Sequence, residues 1–372
     1  MTNDQQMEGE SKMRKLLEYQ ADRIEAVLAQ HKAPGRVTGG TVTPRWVRFK
    51  VLPAMGSRIS TIQGLAEELA TALDAPSVRV ARQGAALQVE VPRQDAQPVR
   101  LLPLREGLRD VPEATAVLGL ADDGAPLLIR LTSPDVAHIL VAGTTGSGKT
   151  ALLRTMVLSL AMRHPSRQAL LLVLIDPKGR AFVDMAGLPQ LARPVVTRVE
   201  EAIEALGSLV RLMEQRDRAR QSRPVVAVFI DELTDLMMVG GREAELHLTR
   251  LLQRGREAGI HIIAATQKPT AAVIGSLVKA NFPVRLVGKV TSPEDARVAS
   301  GWKGTGAERL LGRGDFIAVA EGRLHRFQAA YVSAEETAQV VAWLQEEEGR
   351  PGQGWMRQAE LPLLATPALN SG

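Results

Sequence analysis

The chain contains no cysteine, which removes disulfides and thiolate metal centres and matches a reducing compartment. Aromatic residues make up only 3% of it, so recognition of a single nucleic-acid strand by stacked bases is disfavoured. No uncharged apolar run approaches the roughly 18–20 residues that a membrane helix requires. The polar, charged N-terminus is not a secretory signal, and the sequence has no internal repeats. These absences predict a cytoplasmic globular protein. Its 372 residues, 45% of them hydrophobic, leave room for two domains with a sizeable core.

The charge balance is mildly basic, with a net charge of +5. Residues 36–100 hold nine Lys and Arg against five Asp and Glu, a surplus of four. Such a bias suits a polyanionic partner, and solvated surface charge explains it equally well.

The motif Gly143-Thr144-Thr145-Gly146-Ser147-Gly148-Lys149-Thr150 fits the phosphate-loop pattern G-x-x-x-x-G-K-[ST]. It follows an apolar run, residues 136–142, and precedes a helical pattern, residues 151–158, which is the strand–turn–helix context that gives the pattern meaning. Glycines let backbone N–H groups converge on phosphate oxygens, and a helix N-terminus adds partial positive charge. Lys149 is expected to reach the β- and γ-phosphates of ATP, and the Thr150 hydroxyl to hold Mg²⁺.

A second apolar run, residues 225–230, ends in Asp231-Glu232. A buried strand ending in two carboxylates presents them at the edge where open α/β sheets bind ligands. Asp231 is expected to hold Mg²⁺ through water and Glu232 to polarise the attacking water. An acidic pair can also simply cap the next helix. Its combination with an upstream phosphate loop favours catalysis, and a pair rather than a lone Asp favours a hydrolysing ATPase. Gln267, at the end of residues 260–265, can sense the γ-phosphate or serve only as a turn residue.

Strand-like runs recur at residues 139–142, 169–175, 225–230, 260–265 and 284–287, separated by helical segments such as residues 200–220. Continuous apolar strands alternating with helices predict an α/β fold with a mostly parallel sheet covered on both faces. Residues 315–319 and 325–329 predict a hairpin, and residues 334–344 a closing helix. Ahead of this domain, alternating strands at residues 47–51, 77–83 and 86–91, with a helix starting at Ser60, predict a small α+β module of βαββ order. A polar, structureless lead and an amphipathic helix with Met13, Leu16, Leu17, Ile24, Val27 and Leu28 on one stripe come first. That stripe is expected to dock on its own domain. Residues 105–135 read as a transitional segment ahead of the NTPase domain.

At this level of detail the chain resembles the motor region of the FtsK/SpoIIIE family of DNA translocases. The matching phrases are residues 141–150, Ile175-Asp176-Pro177-Lys178, residues 230–238 with Asp231-Glu232, residues 255–261 with Arg256, Ala265-Thr266-Gln267-Lys268-Pro269, Lys279-Ala280-Asn281-Phe282-Pro283 and residues 307–315 with Gly312-Arg313-Gly314-Asp315. The resemblance implies a RecA-like P-loop NTPase that forms a homo-oligomeric, hexameric ring and pumps double-stranded DNA through its pore. Chromosome, plasmid or phage DNA would serve equally.

It further implies that Arg256 is an arginine finger reaching a neighbouring subunit's ATP, and that Arg297 senses nucleotide. Four residues before Arg297 the family often carries Lys where this chain has Pro293. Lys268 and Lys279 fall in segments that line the family's pore and are candidate phosphate contacts. The implied organisation is residues 1–34 lead and helix, 35–105 attachment-type module, 106–346 motor and 347–372 flexible tail. Neither a membrane span nor a winged helix fits before the module or after the closing helix, so an untethered motor is expected. Two rivals are a protein-secretion ATPase of the same family and a DNA-binding subunit with a structural nucleotide site. A single motor copy speaks against the first, and intact Lys149, Thr150, Asp231 and Glu232 against the second.

Overall fold

A computed structural model describes residues 3–43, 45–95, 98–267 and 281–348. The chain divides into two compact units, Met1–Pro98 and Val99–Gly372. The break precedes the residue 105 expected from sequence for a physical reason. Tyr331 N–H donates to Val99 O and Leu101 N–H to Tyr331 O, which ties residues 99–101 into the second unit.

In the first unit, helix α1 (Asn3–Gln30) begins almost at the N-terminus, which corrects the structureless lead expected there. Its apolar stripe docks on its own unit: Ile24 and Leu28 are fully buried among Phe49, Val51, Ile62, Leu69 and Leu87, while Leu16 stays exposed. Strands β1 (Gly35–Val42), β2 (Trp46–Pro53), β3 (Arg79–Gln83) and β4 (Ala86–Pro92) form an antiparallel sheet in the order β1-β2-β4-β3. Strand β1 adds to the expected βαββ order. The single helix expected from Ser60 is two short helices, α2 (Ile59–Gly64) and α3 (Ala66–Ala72), broken at Leu65. On β2 and β4, Val47, Phe49, Val51, Leu87, Val89 and Val91 point into the core, the period-two signature of a sheet covered on one face.

The second unit is built, among the described residues, on a nine-stranded mixed sheet. Five parallel strands, β7 (Ile139–Ala142), β8 (Leu170–Ile175), β9 (Val225–Ile230), β10 (Ile260–Thr266) and β11 (Val284–Val287), lie in the order β11-β7-β10-β9-β8. Four antiparallel strands extend it beyond β11: β12 (Asp315–Ala320), β13 (Arg323–Ala329), and the hairpin β5 (Thr115–Ala121) and β6 (Pro126–Arg130). That hairpin, with helix α4 (Leu101–Glu106) just before it, occupies the stretch read as transitional.

The parallel strands are almost wholly apolar because both faces are covered; His261, Thr266 and Arg285 are the polar exceptions, and all three are buried. Ile139, Val141, Leu172, Leu174, Ala227, Phe229, Ile263 and Ala265 enter one core layer, around helix α5 (Lys149–Arg163). Their neighbours Leu140, Val173, Ile175, Val226, Val228, Ile230, Ile262 and Ala264 enter the other, against α6 (Val199–Ala219) and α7 (Leu233–Arg254). Helix α5 lacks a polar face and is buried throughout its middle, whereas α6 buries one face, which carries Ala202, Ala205, Leu206, Leu209, Val210 and Met213. Helices α8 (Pro293–Ser300) and α9 (Ala334–Glu348) complete the unit. No helix among the described residues is long and apolar enough to cross a membrane.

Candidate functional site

Strand register brings the predicted chemistry to one edge. Thr266 pairs with Ala142, Ala264 with Ile230, and Ile175 with Ile230, so the carboxyl ends of β7, β8, β9 and β10 finish together. The loop 143–148, Asp176, Asp231, Glu232 and Gln267 each follow one of those ends.

The loop conformation depends on glycine where the chain turns. Gly143, Gly146 and Gly148 have φ of +154°, +78° and +104°, and a Cβ on Gly143 would lie 2.8 Å from Ser147 Oγ. The loop is fastened on both sides: Gly143 N–H donates to Thr266 O, and Thr144 N–H to Lys289 O. Lys149 opens α5 and is buried, its Nζ donating to Gly143 O (2.7 Å) and Thr144 O (3.0 Å). Burial pulls its pKa down to about 8, against the opposing pull of Glu232 and Asp231. The ammonium thus rests on the loop's own carbonyls.

The Thr150 hydroxyl donates to Asp231 Oδ1 at 2.9 Å. A hydroxyl and a carboxylate at this distance, beside a loop shaped for phosphates, are a hard-oxygen donor set that fits Mg²⁺. Thr150 and Asp231 would hold the ion, which supplies charge neutralisation of phosphate oxygens when bound. Burial raises the pKa of Asp231, and Asp176 raises it further, while the Thr150 bond opposes both. Asp176 is itself fully buried: Oδ2 accepts from Ala181 and Phe182 N–H groups, while Oδ1 has no partner.

Glu232 does two things at once. Its Oε1 accepts from Thr234 N–H and Gln267 N–H, both at 3.4 Å, so it caps α7 and ties that helix start to the end of β10. Its Oε2 lies 4.0 Å from Lys178 Nζ, which pairs with Asp235 at 3.0 Å. Burial raises the pKa of Glu232, a direction that favours a carboxyl able to take up a proton. The Gln267 side chain meanwhile accepts from the Thr145 hydroxyl at 2.9 Å. Gln267 therefore touches the phosphate loop with its side chain and the acidic residue with its backbone, and the Thr234–Thr266 hydroxyl pair at 2.8 Å braces the same junction.

Arg256 is not brought to this edge. It precedes β10, whereas Gln267 follows it, and seven strand residues separate the two ends by roughly 20 Å. It is exposed beside an open cleft lined by Asp135, His138, Leu252 and Gln253. Arg297 is exposed on α8, whose Ala296 and Ala299 pack against Ala142 and Val287 at the carboxyl ends of β7 and β11. Lys268 and Lys279 lie outside the described residues.

Sequence reasoning left two participants without a role. Lys178 contacts the candidate base, and the one signal was a lysine three positions beyond a buried strand end. The turn at residues 312–314 touches the loop directly, through Arg313 N–H to Gly146 O and Gly314 N–H to Ser147 O.

Comparison with known proteins gives a consistent picture. The FtsK/SpoIIIE family model matches residues 104–222 and 216–271, and the FtsK alpha domain model matches residues 1–93. DNA translocase FtsK of Sporosarcina ureae is 33% identical over 387 residues, covering 94% of this chain and 49% of that protein. DNA translocase SpoIIIE of Bacillus subtilis is 33% identical over 367 residues, covering 90% and 46%. The chain spans about half the length of these curated relatives. Among solved structures, the pCW3 conjugation coupling protein TcpA with ATPγS superposes with a TM-score of 0.60 at 19% identity, over 88% of this chain and 99% of that one. The cytoplasmic domain of the Thermomonospora curvata Type VII secretion ATPase EccC superposes with a TM-score of 0.58 at 27% identity, over 67% and 34%. These neighbours share the P-loop ATPase architecture.

Proposed function

We propose that this chain, which belongs to the FtsK/SpoIIIE family, is the motor of a cytoplasmic translocase that hydrolyses ATP to drive double-stranded DNA through a homo-oligomeric ring. The observation that supports this reading most directly is the split between two ends of one sheet. Lys149, Thr150, Asp231, Glu232 and Gln267 share the carboxyl edge, while Arg256 stands at the opposite one. Arg256 can therefore serve a nucleotide only if that nucleotide belongs to another copy, which makes hydrolysis a property of an interface.

Within one copy the geometry supports the following roles. Lys149 leaves its carbonyl partners for the polyphosphate. Thr150 and Asp231 would hold Mg²⁺, which would neutralise phosphate oxygens. Glu232, with its raised pKa, accepts the proton of the attacking water, and Lys178 fixes the orientation of that carboxyl. Gln267 spans the loop and Glu232, so loss of the γ-phosphate at Thr145 reaches α7 through the Thr234–Thr266 contact. Lys268 and Lys279 remain candidates for sequence-independent phosphate contacts on the duplex.

Phosphate release with and without linear duplex DNA tests the reading. Stimulation by duplex, displacement of a triplex-forming strand, and loss of both in Lys149→Ala are expected. Hydrolysis indifferent to DNA but raised by a secretion-signal peptide would replace the DNA motor by the export ATPase, and an absence of hydrolysis would leave only a structural nucleotide site. Arg256→Ala is expected to retain nucleotide binding and lose hydrolysis.

A further inference from the structure

The phosphate loop has two flanks. After β10, β9 and β8 on one side stand Gln267, Asp231, Glu232 and Lys178; across β11 on the other stands the turn that enters β12. Three successive residues of that turn, Gly312, Arg313 and Gly314, have φ of +77°, +49° and +91°. Arg313 N–H donates to Gly146 O at 2.9 Å and Gly314 N–H to Ser147 O at 2.8 Å. A Cβ on Gly148 would fall 2.7 Å from Gly314 N, so the turn and the loop meet backbone to backbone. The turn is also fixed from below. Asp315, buried, accepts from Leu311 N–H at 3.0 Å and from both Nε and Nη2 of Arg326 at 2.9 Å. The Arg313 carbonyl accepts from Gln328 Nε2 at 3.1 Å.

Left-handed backbone is free for glycine and disfavoured for any residue with a Cβ. The close approach explains the glycines at 312 and 314, but glycine would suit position 313 better than arginine does. What the arginine adds is an exposed guanidinium on a rigid mount, one backbone bond away from Gly146. A guanidinium matches phosphate oxygens and stacks on the face of a base.

We propose that Arg313 is a nucleotide-binding residue that holds the α-phosphate and nucleoside end of the nucleotide seated in the loop. The proposal rests on the nucleotide-binding reading of residues 143–150. Its direction follows from the two flanks. Thr150, Asp231 and Glu232 gather on the β9 and β10 side, where the cation and the attacked phosphate belong, which leaves the β11 and β12 side to the other end of the ligand.

Calorimetric titration of the full chain with ADP and Mg²⁺, without DNA, tests this against competition by inorganic pyrophosphate. Arg313→Gly relieves the left-handed strain, so the unliganded protein keeps or raises its Tm. The variant is expected to bind ADP about tenfold more weakly, as loss of one charge-assisted hydrogen bond implies, while pyrophosphate competes as before. Arg313→Lys is expected to fall between the two. Unchanged ADP affinity in Arg313→Gly overturns the proposal, as does an equal loss for pyrophosphate or a loss accompanied by a lower Tm. If the wild-type chain binds no nucleotide, the functional reading falls together with this proposal. Tight wild-type binding with an indifferent variant rejects only the role of Arg313.

Discussion

Replacing Lys149 by Met should make the empty protein more stable, although it abolishes nucleotide binding. Burial lowers the Lys149 pKa from the ordinary 10.5 to about 8, so the folded state holds a charge that it resists. At about 1.4 kcal/mol per pH unit, that displacement costs the fold about 3 kcal/mol. The bonds that Nζ donates to Gly143 O and Thr144 O are lost in the variant and take back about 1–2 kcal/mol. A net gain of about 1–2 kcal/mol at pH 7 remains, or a Tm higher by roughly 2–6 °C for a unit of this size. The pH dependence is the sharper test. Below pH 8 both states of the wild type bind the proton and the penalty is full. Between about 8 and 10.5 the unfolded chain binds a proton that the folded chain does not, so wild-type stability rises with pH. Above 10.5 the penalty is gone, only the lost hydrogen bonds count, and the wild type becomes the more stable protein. Scanning calorimetry of both proteins at pH 7 and above 10 measures this. A variant less stable than wild type at pH 7, or a difference that ignores pH, would refute the claim that Lys149 is an electrostatically strained residue.

Three further outcomes are expected. Glu232→Gln should lower hydrolysis by roughly 10²- to 10⁴-fold with ATPγS affinity unchanged, read from phosphate release and equilibrium titration, because the amide keeps the helix cap but cannot take a proton. The Glu232 pKa is raised by burial, so its base function is lost as pH falls through a value above the usual glutamate range; Lys178 opposes that rise, and Lys178→Ala should move the acid limb of the rate profile to higher pH. Asp315→Asn should cost about 3–5 kcal/mol in urea unfolding, because it leaves the buried Arg326 guanidinium without its bidentate partner.

The parts of the site that follow buried strands were legible in the sequence, and the reason is packing. Strands β7, β9 and β10 have helices on both faces, so β7 and β9 read as unbroken apolar runs and β10 as one interrupted only by His261 and closed by Thr266, and the residue after each strand falls on the functional edge. Strand β1 was hidden because Gly35, Gly39 and Gly40 depress strand propensity, and pairing with β2 overrides it. The β5–β6 hairpin was hidden for a related reason. It joins the sheet through β13, more than 200 residues later in the chain, a contact that no local pattern announces. Lys178 has no local signature beyond its place after β8, since its meaning lies in Glu232 and Asp235 on another element. Arg313 stood inside a matched phrase, yet its left-handed backbone cannot be read from residue types.

One cause links the charges of this edge. Lys149 is shifted toward its neutral form, and so are Asp231 and Glu232, in each case by burial before any other influence. Cation and anions sit close enough to oppose that shift in one another and still do not cancel it. The site is therefore drier than its own charge pairs can support. Asp176, with one buried oxygen lacking any partner, deepens the deficit beside Asp231. A ligand that brings both phosphate anions to Lys149 and a divalent cation to Thr150 and Asp231 corrects both signs together, whereas either half alone corrects one and aggravates the other. Binding of nucleotide and of Mg²⁺ to this chain must then be positively coupled. ADP titrated with and without Mg²⁺ should show at least a fivefold difference in Kd, within the usual span of coupling energies. Equal affinities would mean that the loop holds polyphosphate without help from Asp231, and that its raised pKa has no bearing on the ligand.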